Sequence, residues 1–373
     1  MPRKKTSIWF RGLELLARMS DTRTKKKAGA RKAGLTKTVS ATRPARRADE
    51  PRARHSPLGK KANNVNTAGK WIRSYHSAPP LAGHLVNHLA YALYLPATAA
   101  PDAGMPLVVM LHGCKQTAES FAAGTRVCRL AERSGFAVLL PEQAKTAHAQ
   151  RCWHWHGDLA QSEAPAVASL VEAIVRQYGF DRERIYLAGV SAGAGLAAAL
   201  AMRYPTLFAA VGLHSGPVFG AARSTMTAIN VMRRGSREDP VALIDACVDT
   251  ATYPGMPAII LQGELDTVVA RRNAMQLGLQ FARVNQLLDA QGGLRVGEIR
   301  TYSGDAVEYT DYLRSGRLVV RVAVVRGLGH AWSGGDPSEP FHSARGPNAT
   351  AMLWQFFRRQ RRSTERQMRR SPA

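Results

Sequence analysis

The stretch RIYLAGVSAGAGLAAALAMRY, residues 184–204, indicates how the chain folds. An apolar run of the kind found in strands buried on both faces enters the pentapeptide GVSAG, and an alanine-rich helical run leaves it. Gly189 and Gly193 stand two residues before and after Ser191, as in the G-x-S-x-G pattern of a sharp strand-to-helix turn. Ser191 is therefore either a nucleophile raised above a sheet or a small residue at a turn.

Apolar runs and helical patterns alternate along the chain on both sides of this stretch. Strands are predicted at 88–96, 106–113, 136–142, 184–190, 208–216, 257–263 and 317–325, and helices at 118–134, 163–178, 192–203, 270–289 and 347–362. Because strands that alternate with helices form sheets covered on both faces, we expect an α/β fold with a mostly parallel central sheet. Residues 217–256, rich in Gly, Arg and Thr, are expected to form a small irregular excursion near the sheet edge.

The charge of the chain lies in its tails. A hydrophobic content of 45% in 373 residues is enough for a sizeable core and excludes a wholly disordered protein. Of the net charge of +25, residues 1–70 contribute 20 Lys and Arg against 4 Asp and Glu, and residues 358–373 contribute 7 against 1. Residues 71–357 therefore carry a net charge of only about +3, which argues against a basic groove for nucleic acid in this part of the chain. We expect one domain, 71–357, between two basic tails.

The N-terminal tail mixes Lys and Arg with Ala, Gly, Thr and Pro, and is predicted to be a disordered polycation. Such a segment attracts polyanions, including nucleic acid, anionic lipid and acidic particle surfaces, or it serves as a solubilising arm without a specific partner. Within it, residues 7–19 place Trp9, Leu13 and Leu16 on one helical face, which suits adsorption to an apolar or lipid surface.

The N-terminal sequence does not read as a secretory signal, because Arg11, Glu14 and Arg18 interrupt its apolar residues. No apolar run approaches the ~20 residues of a membrane span, so no transmembrane segment is expected. We expect a cytoplasmic location. The alternatives are export by another route, which would make the protein a secreted one, and a different start codon.

The cysteine and histidine patterns do not predict a metal site. Four cysteines in 373 residues make no disulfide framework, and no Cys/His cluster has zinc-ligand spacing. The segment CWHWH, residues 152–156, is rich in histidine but lacks that spacing. No metal ion and no organic cofactor is expected.

Two residues downstream of Ser191 complete a candidate catalytic set. A serine hydroxyl needs a general base, and the base needs a carboxylate to orient it. Asp266, in LQGELDTVV, follows one predicted strand, and His330, in VVRGLGHAWSGG, follows the last. Because the carboxyl ends of parallel strands meet at one edge of a sheet, we expect the three side chains to converge there.

Three other residues compete for these roles. Glu264 is an alternative acid but lies closer to the strand than Asp266. His342, in EPFHSARGP, is an alternative base without a position at a strand end. In the chain order expected for such a set, the serine comes first, the acid second and the histidine last. His214 precedes the acid and so breaks this order.

An early loop, LHGCKQT at 111–117, is a candidate for stabilising a developing oxyanion. Such a site needs two N–H donors, one following the nucleophile and one from the loop after an early strand. The backbone N–H groups of Ala192 and Cys114 are the candidates. Gly113 is alternatively a simple turn glycine.

Seven short motifs occur in one order: LHGCKQT, FAAGTR, RCWHW, GVSAGAG, DTVV, GLGHAWSGG and GPNATAMLWQFF. Together they resemble the polyhydroxybutyrate depolymerase family of esterases in the α/β-hydrolase superfamily, and the resemblance covers most of 80–358. It implies the α/β-hydrolase fold, with Ser191 as nucleophile, Asp266 as acid, His330 as base and Cys114 as an oxyanion-hole residue.

The resemblance also implies a disulfide between Cys114 and Cys152, although a cytosolic location argues against a persistent bond. It implies hydrolysis of poly(3-hydroxybutyrate) or its oligomers through an acyl-enzyme. Trp153, Trp155 and Trp332 are candidates for an apolar crevice that grips a polyester chain, with plain core packing as the alternative.

The chain resembles in particular the intracellular depolymerases that use a secreted-type catalytic domain on storage granules. This implies a granule-associated enzyme, held on the granule surface or another polyanion by the basic N-terminal tail. Two other functions remain open. One is a feruloyl or acetyl-carbohydrate esterase on the same scaffold. The other is a granule- or nucleic-acid-associated binding protein with an inactive hydrolase domain.

Overall fold

The computed structural model describes residues 67–78, 87–98 and 104–362. These residues belong to one compact unit. The segment 7–19 lies outside them, as do the basic tails apart from 67–70 and 358–362, so the predictions for those parts remain predictions. No helix of the described ranges is long and apolar enough to cross a membrane.

Ten strands of the described chain form one sheet, in the order β1-β2-β4-β3-β5-β6-β7-β10-β9-β8. The strands are β1 Lys70–Ala78, β2 Asn87–Leu95, β3 Leu107–Leu111, β4 Ala137–Glu142, β5 Ile185–Val190, β6 Ala210–His214, β7 Ala258–Gly263, β8 Glu298–Ser303, β9 Val307–Arg314 and β10 Arg317–Val325. A short parallel pair, β11 Trp332–Ser333 and β12 His342–Ser343, follows β10.

The centre of the sheet is parallel, as predicted. Strand β3 pairs in parallel with β4 and β5, and the parallel pairing continues through β6 and β7 to β10. The predicted strands all lie here except β2, which pairs antiparallel with β4. The antiparallel strands β1, β8 and β9 were not predicted from the sequence; β1 and β8 form the two edges of the sheet, and β9 lies between β10 and β8. Strand β8, EIRTYS, is exposed along most of its length, so it lacks the apolar run that identified the others.

Eight α-helices of the described residues are α1 Ala118–Thr125, α2 Val127–Ser134, α3 Ala164–Tyr178, α4 Ala192–Arg203, α5 Thr225–Arg234, α6 Pro240–Asp245, α7 Arg271–Val284 and α8 Ala349–Phe357. Helices α1, α2 and α8 cover one face of the sheet, and α3, α4 and α7 cover the other. Helix α4 is buried from Ala192 to Met202 because its small side chains let it lie close against the sheet.

The structure corrects two of the predictions, one for a helix and one for an irregular segment. The helix predicted at 118–134 is broken at Arg126, whose φ of 56° ends α1 and precedes α2. The residue at the break is an arginine and not a glycine, although Gly124 stands two residues before it. Residues 217–256, expected to be irregular, contain α5 and α6, which begin at side-chain caps on Ser224 and Asp239.

Candidate active site

Ser191 lies in a strained turn between β5 and α4, with φ 56° and ψ −121°. Side chains at the flanking glycines would collide with the backbone. A Cβ atom on Gly189 would come closer than 3.0 Å to the carbonyl of Gly193, and one on Gly193 closer than 3.0 Å to the carbonyl oxygen of Leu111. The Ser191 N–H donates to the carbonyl of His214 at 3.0 Å. Gly189 is therefore required by the geometry of this turn, and Gly193 by the close approach of α4 to the end of β3.

The three candidate catalytic residues meet at the carboxyl ends of their strands. The Nε2 atom of His330 lies 3.1 Å from Ser191 Oγ, and its Nδ1 atom lies 2.8 Å from Asp266 Oδ2. The His330 side chain is 14% exposed and the Asp266 side chain is fully buried. A proton can therefore pass between the serine hydroxyl and the imidazole, while the carboxylate holds the other ring nitrogen.

The Asp266 carboxylate is fixed on both oxygens. Oδ1 accepts the N–H groups of Val268 and Val269, each at 2.9 Å, and Oδ2 accepts the Gln262 side-chain amide at 3.2 Å. Burial opposes ionisation, but the facing His330 ring and these hydrogen bonds outweigh it and hold the pKa of Asp266 below its ordinary value. An anionic Asp266 selects the imidazole tautomer that carries its proton on Nδ1.

The loop after β3 is anchored by His112. Its Nε2 accepts the N–H of Gln143 at 3.1 Å, and its Nδ1 lies 2.8 Å from the carbonyl oxygen of Gly113. Its own carbonyl accepts the indole N–H of Trp153 at 2.9 Å. Burial lowers the pKa of His112 to about 4, so the ring is neutral near pH 7. These contacts fix the backbone that leads into Cys114.

A disulfide joins Cys114 to Cys152 and confirms the pairing implied by the resemblance. Next to it, the Lys115 N–H donates to the Gln150 carbonyl at 2.6 Å. The two loops that carry the motifs HGC and CWHW are therefore attached to each other beside the turn at Ser191.

The candidate oxyanion donors occupy different elements. Ala192 is the first residue of α4, and N–H groups in a first helical turn have no acceptor within the helix. Cys114 lies in the loop after β3, where the preceding Gly113 N–H is taken by Gln116 Oε1 at 2.8 Å. The turn glycine Gly193 brings this loop and α4 into close approach.

The tryptophans do not form an exposed crevice. Trp153 is 2% exposed, Trp155 7% and Trp332 1%. The indole N–H of Trp332 donates to Thr350 Oγ1 at 3.1 Å, and the ring of Trp155 packs against Gly195 in α4. Their faces are covered, two of their N–H groups are satisfied within the protein, and they pack in the core. The prediction that these three side chains form an apolar crevice for a polyester chain is therefore wrong, and the alternative of core packing holds.

The competing residues have other contacts. The Glu264 carboxylate accepts a backbone N–H, and His214 Nε2 accepts the Ser333 N–H at 3.3 Å. His342 lies against Gly124, where no added side chain would fit. Burial lowers the pKa of His214 to about 3 and that of His342 to about 4. It is His330 whose ring contacts the Ser191 hydroxyl.

Several residues of the site were not predicted from the sequence. Gln262 and Ser215 hydrogen-bond to Asp266, and Gln116 contacts the loop of Cys114. Gln262 was detectable as the polar residue that ends the apolar run PAIILQ. Leu265, 60% exposed beside Asp266, presents apolar surface near the site. No group of three or more His, Cys, Asp or Glu side chains within the described ranges could hold a metal ion.

This sheet, with its serine turn and its acid and histidine at strand ends, defines an α/β-hydrolase. The acetyl xylan esterase from Aspergillus awamori has a similar fold, with a TM-score of 0.59 and 19% identity over 77% of this chain and 99% of that one. The chain belongs to the esterase PHB depolymerase family, whose model matches residues 89–303.

Relatives of similar sequence carry two kinds of name. Poly(3-hydroxyalkanoate) depolymerase C of Paucimonas lemoignei is 29% identical over 245 residues, which are 64% of this chain and 56% of that protein. Poly(3-hydroxybutyrate) depolymerase of Ralstonia pickettii is 25% identical over 68% of this chain and 53% of its own length. A probable acetylxylan esterase A of Aspergillus fumigatus is 27% identical over 52% and 54%. The chain thus spans about half the length of these relatives.

Proposed function

We propose that this protein is a serine esterase that hydrolyses poly(3-hydroxybutyrate) or its oligomers through an acyl-enzyme intermediate. The observation that carries the proposal is the continuous set of contacts from Ser191 Oγ through His330 to the buried Asp266 carboxylate. Membership of an esterase family supports the reaction type.

The first half-reaction begins when Ser191 Oγ attacks the ester carbonyl carbon. His330 Nε2 takes the hydroxyl proton as the C–O bond forms, and the anionic Asp266 stabilises the resulting imidazolium through Nδ1. The carbonyl oxygen becomes an oxyanion, which the N–H groups of Cys114 and Ala192 stabilise. Each such donor typically lowers the barrier by about 3–4 kcal/mol.

The tetrahedral intermediate then collapses to the acyl-enzyme. The bond to the leaving alkoxide breaks, and protonated His330 transfers its proton to that oxygen as the alcohol departs. A water molecule attacks the acyl-enzyme carbonyl with His330 as base. Return of the proton to Ser191 Oγ releases the acid.

The substrate proposal rests on the depolymerases among the relatives and on the seven motifs. The exposed Leu265 beside the acid supplies apolar surface of the kind a polyester chain would contact. Acetyl esters of xylan are the second candidate, because a relative named acetylxylan esterase is nearly as similar.

The test compares wild type and Ser191→Ala on four substrates: amorphous poly(3-hydroxybutyrate) granules, hydroxybutyrate oligomers, acetylated xylan and a feruloyl sugar ester. We expect hydroxybutyrate release by the wild type and a fall in kcat of about 10⁴- to 10⁶-fold in the variant. Preferential acetate release from xylan would establish the second candidate. Failure of a fluorophosphonate to label Ser191 would favour a binding protein with an inactive hydrolase domain.

We propose in addition that the basic N-terminal tail holds the enzyme on a granule or another polyanionic surface in the cytoplasm. The tail's net charge of +16 supports this, because such attraction is long-ranged and sensitive to salt. A variant without residues 1–66, which keeps β1 intact, is expected to lose salt-sensitive co-sedimentation with granules while keeping its activity on soluble esters. Full co-sedimentation of the variant would refute this.

A further inference from the structure

The side chain of Gln116 links two parts of the candidate site that carry different functions. It is 3% exposed. Its Oε1 accepts the Gly113 N–H at 2.8 Å, and its Nε2 donates to the Pro340 carbonyl at 3.3 Å. Its backbone N–H closes the same turn by donating to the Gly113 carbonyl at 3.3 Å. Both ends of the amide are therefore committed, one to each segment.

The first segment is the loop that presents the Cys114 N–H. Because Gln116 occupies the N–H of Gly113, the N–H of Cys114 is the loop donor left to face an oxyanion. The following residue, Lys115, has φ 68°, a conformation that persists only where surrounding contacts hold it. Gln116 supplies such a contact within the turn itself.

The second segment follows the catalytic histidine. Trp332, two residues after His330, pairs with His342 in the β11–β12 ladder, and Pro340 lies two residues before His342. The same segment is attached to α1, because the Asp336 N–H donates to the Gly124 carbonyl at 2.8 Å. A hydrogen bond to Pro340 therefore connects the oxyanion loop to the chain that leaves the base.

We infer that Gln116 is a positioning residue that holds the N–H donor of Cys114 at the position where it can stabilise an oxyanion formed at the Ser191–His330 pair. This inference rests on the proposed function, because it assigns Gln116 a role in that reaction. The side-chain hydrogen bonds of Gln116 go to Gly113 and Pro340 and not to Ser191 or His330, so it acts through the backbone that it fixes. Preorganised donors stabilise a transition state only when their geometry is held, and a small displacement costs up to about 100-fold in rate.

The test uses Gln116→Met, which keeps the approximate volume and removes both hydrogen bonds. Gln276→Met is the matched control, since Gln276 is equally buried and its amide makes two hydrogen bonds to the Ser236 backbone, at 2.9 and 3.0 Å. A third variant, Gln116→Glu, keeps an acceptor for the Gly113 N–H and, when ionised, has no donor for Pro340. The measurements are kcat and KM on a soluble butyrate ester, the Ki of a trifluoromethyl ketone that forms a tetrahedral adduct, and thermal unfolding.

We expect Gln116→Met to lower kcat by about 10- to 100-fold with KM within about 3-fold of wild type. Affinity for the ketone should fall with kcat, because the adduct carries the oxyanion. Gln276→Met should lose similar thermal stability but keep kcat, and Gln116→Glu should fall between wild type and Gln116→Met. If Gln116→Met does not fold, the same comparison with wild type and Gln276→Met is made with Gln116→Glu.

The inference is overturned if the Gln116 variants keep kcat and ketone affinity within about 3-fold of wild type. It is equally overturned if their losses match those of Gln276→Met at equal thermal stability. A wild-type enzyme inactive on every ester class would instead refute the proposed function, and the inference would fall with it.

Discussion

Ser191 combines a strained backbone with a hydroxyl that contacts the imidazole of His330. Its φ of 56° and ψ of −121° lie where residues with a Cβ atom are rare, and its N–H is held by the His214 carbonyl. The conformation puts the hydroxyl within reach of His330 Nε2. The fold therefore stores backbone strain at the residue that supplies the proposed nucleophile.

This strain predicts an order of stability among variants at residue 191. Ser191→Gly should be more stable than Ser191→Ala by about 1 kcal/mol, because glycine adopts positive φ without a Cβ clash. Urea unfolding of the two inactive variants measures the difference. A more stable alanine variant would contradict the strain argument.

At the scale of elements, the contact between α4 and the end of β3 leaves no space for a side chain. We predict that Gly193→Ala is destabilised by several kcal/mol and loses esterase activity, because the clash is with the backbone of Leu111 and His112. Gly304→Ala, in the turn between β8 and β9, is the control, since its nearest neighbour would lie at 3.8 Å. The comparison is made by thermal unfolding. Equal stability of the two variants would contradict the packing argument.

The disulfide between the HGC and CWHW loops makes a second prediction at this scale. Unfolded protein should expose two titratable thiols, those of Cys128 and Cys247, and four after reduction. Such bonds persist in oxidising compartments, so a count of two thiols before reduction would speak against the proposed cytoplasmic location and for the secreted alternative. Four thiols before reduction would show that the bond does not form in the compartment of expression.

Across the whole molecule, buried histidines connect stability to pH. Burial lowers the pKa values of His112 and His342 to about 4 and that of His214 to about 3. In the unfolded chain these groups titrate near 6.5, so the unfolded state binds more protons between about pH 6.5 and 4. The stability they contribute is complete above pH 6.5 and is lost as the pH falls towards the folded pKa values.

We therefore expect the free energy of unfolding to fall by about 1.4 kcal/mol per pH unit for each such histidine below pH 6. His342 lies outside the candidate catalytic set. His342→Gln should reduce the dependence of the unfolding free energy on pH by the contribution of one histidine, about 1.4 kcal/mol per pH unit. Urea unfolding at pH 4.5, 5.5, 6.5 and 7.5 measures both. An unchanged slope in the variant would show that His342 is protonated in the folded state.

How well each strand or helix could be predicted depended on its local sequence pattern. Strands with continuous apolar runs, such as β5 and β7, were predicted from the sequence to within a residue. Strand β8 was missed because an exposed edge strand has no apolar face to bury. The break at Arg126 was missed because the left-handed residue is not a glycine, and tertiary packing holds it there.

The order of serine, acid and histidine along the chain indicated three residues whose side chains do meet in the fold. It did not reveal Gln116, because the contact between residues 116 and 340 depends on how two distant loops meet. The tryptophans were ambiguous for a similar reason. Only packing partners such as Thr350 and Gly195 decide whether an aromatic ring is exposed or buried.

The amino-acid sequence by itself determined the strand, turn and helix around Ser191, because the apolar run, the turn and the alanine-rich run are local and a side chain at residue 189 would meet the nearby Gly193 carbonyl. Tertiary structure alone brought His330 to that serine across 139 residues and Asp266 to His330 across 64. It also chose His330 over His342 and placed the tryptophans in the core. The physical reason is separation along the chain. The sterics of a turn act between near neighbours in the sequence, whereas these hydrogen bonds and the burial of the rings depend on which distant segments the sheet makes adjacent.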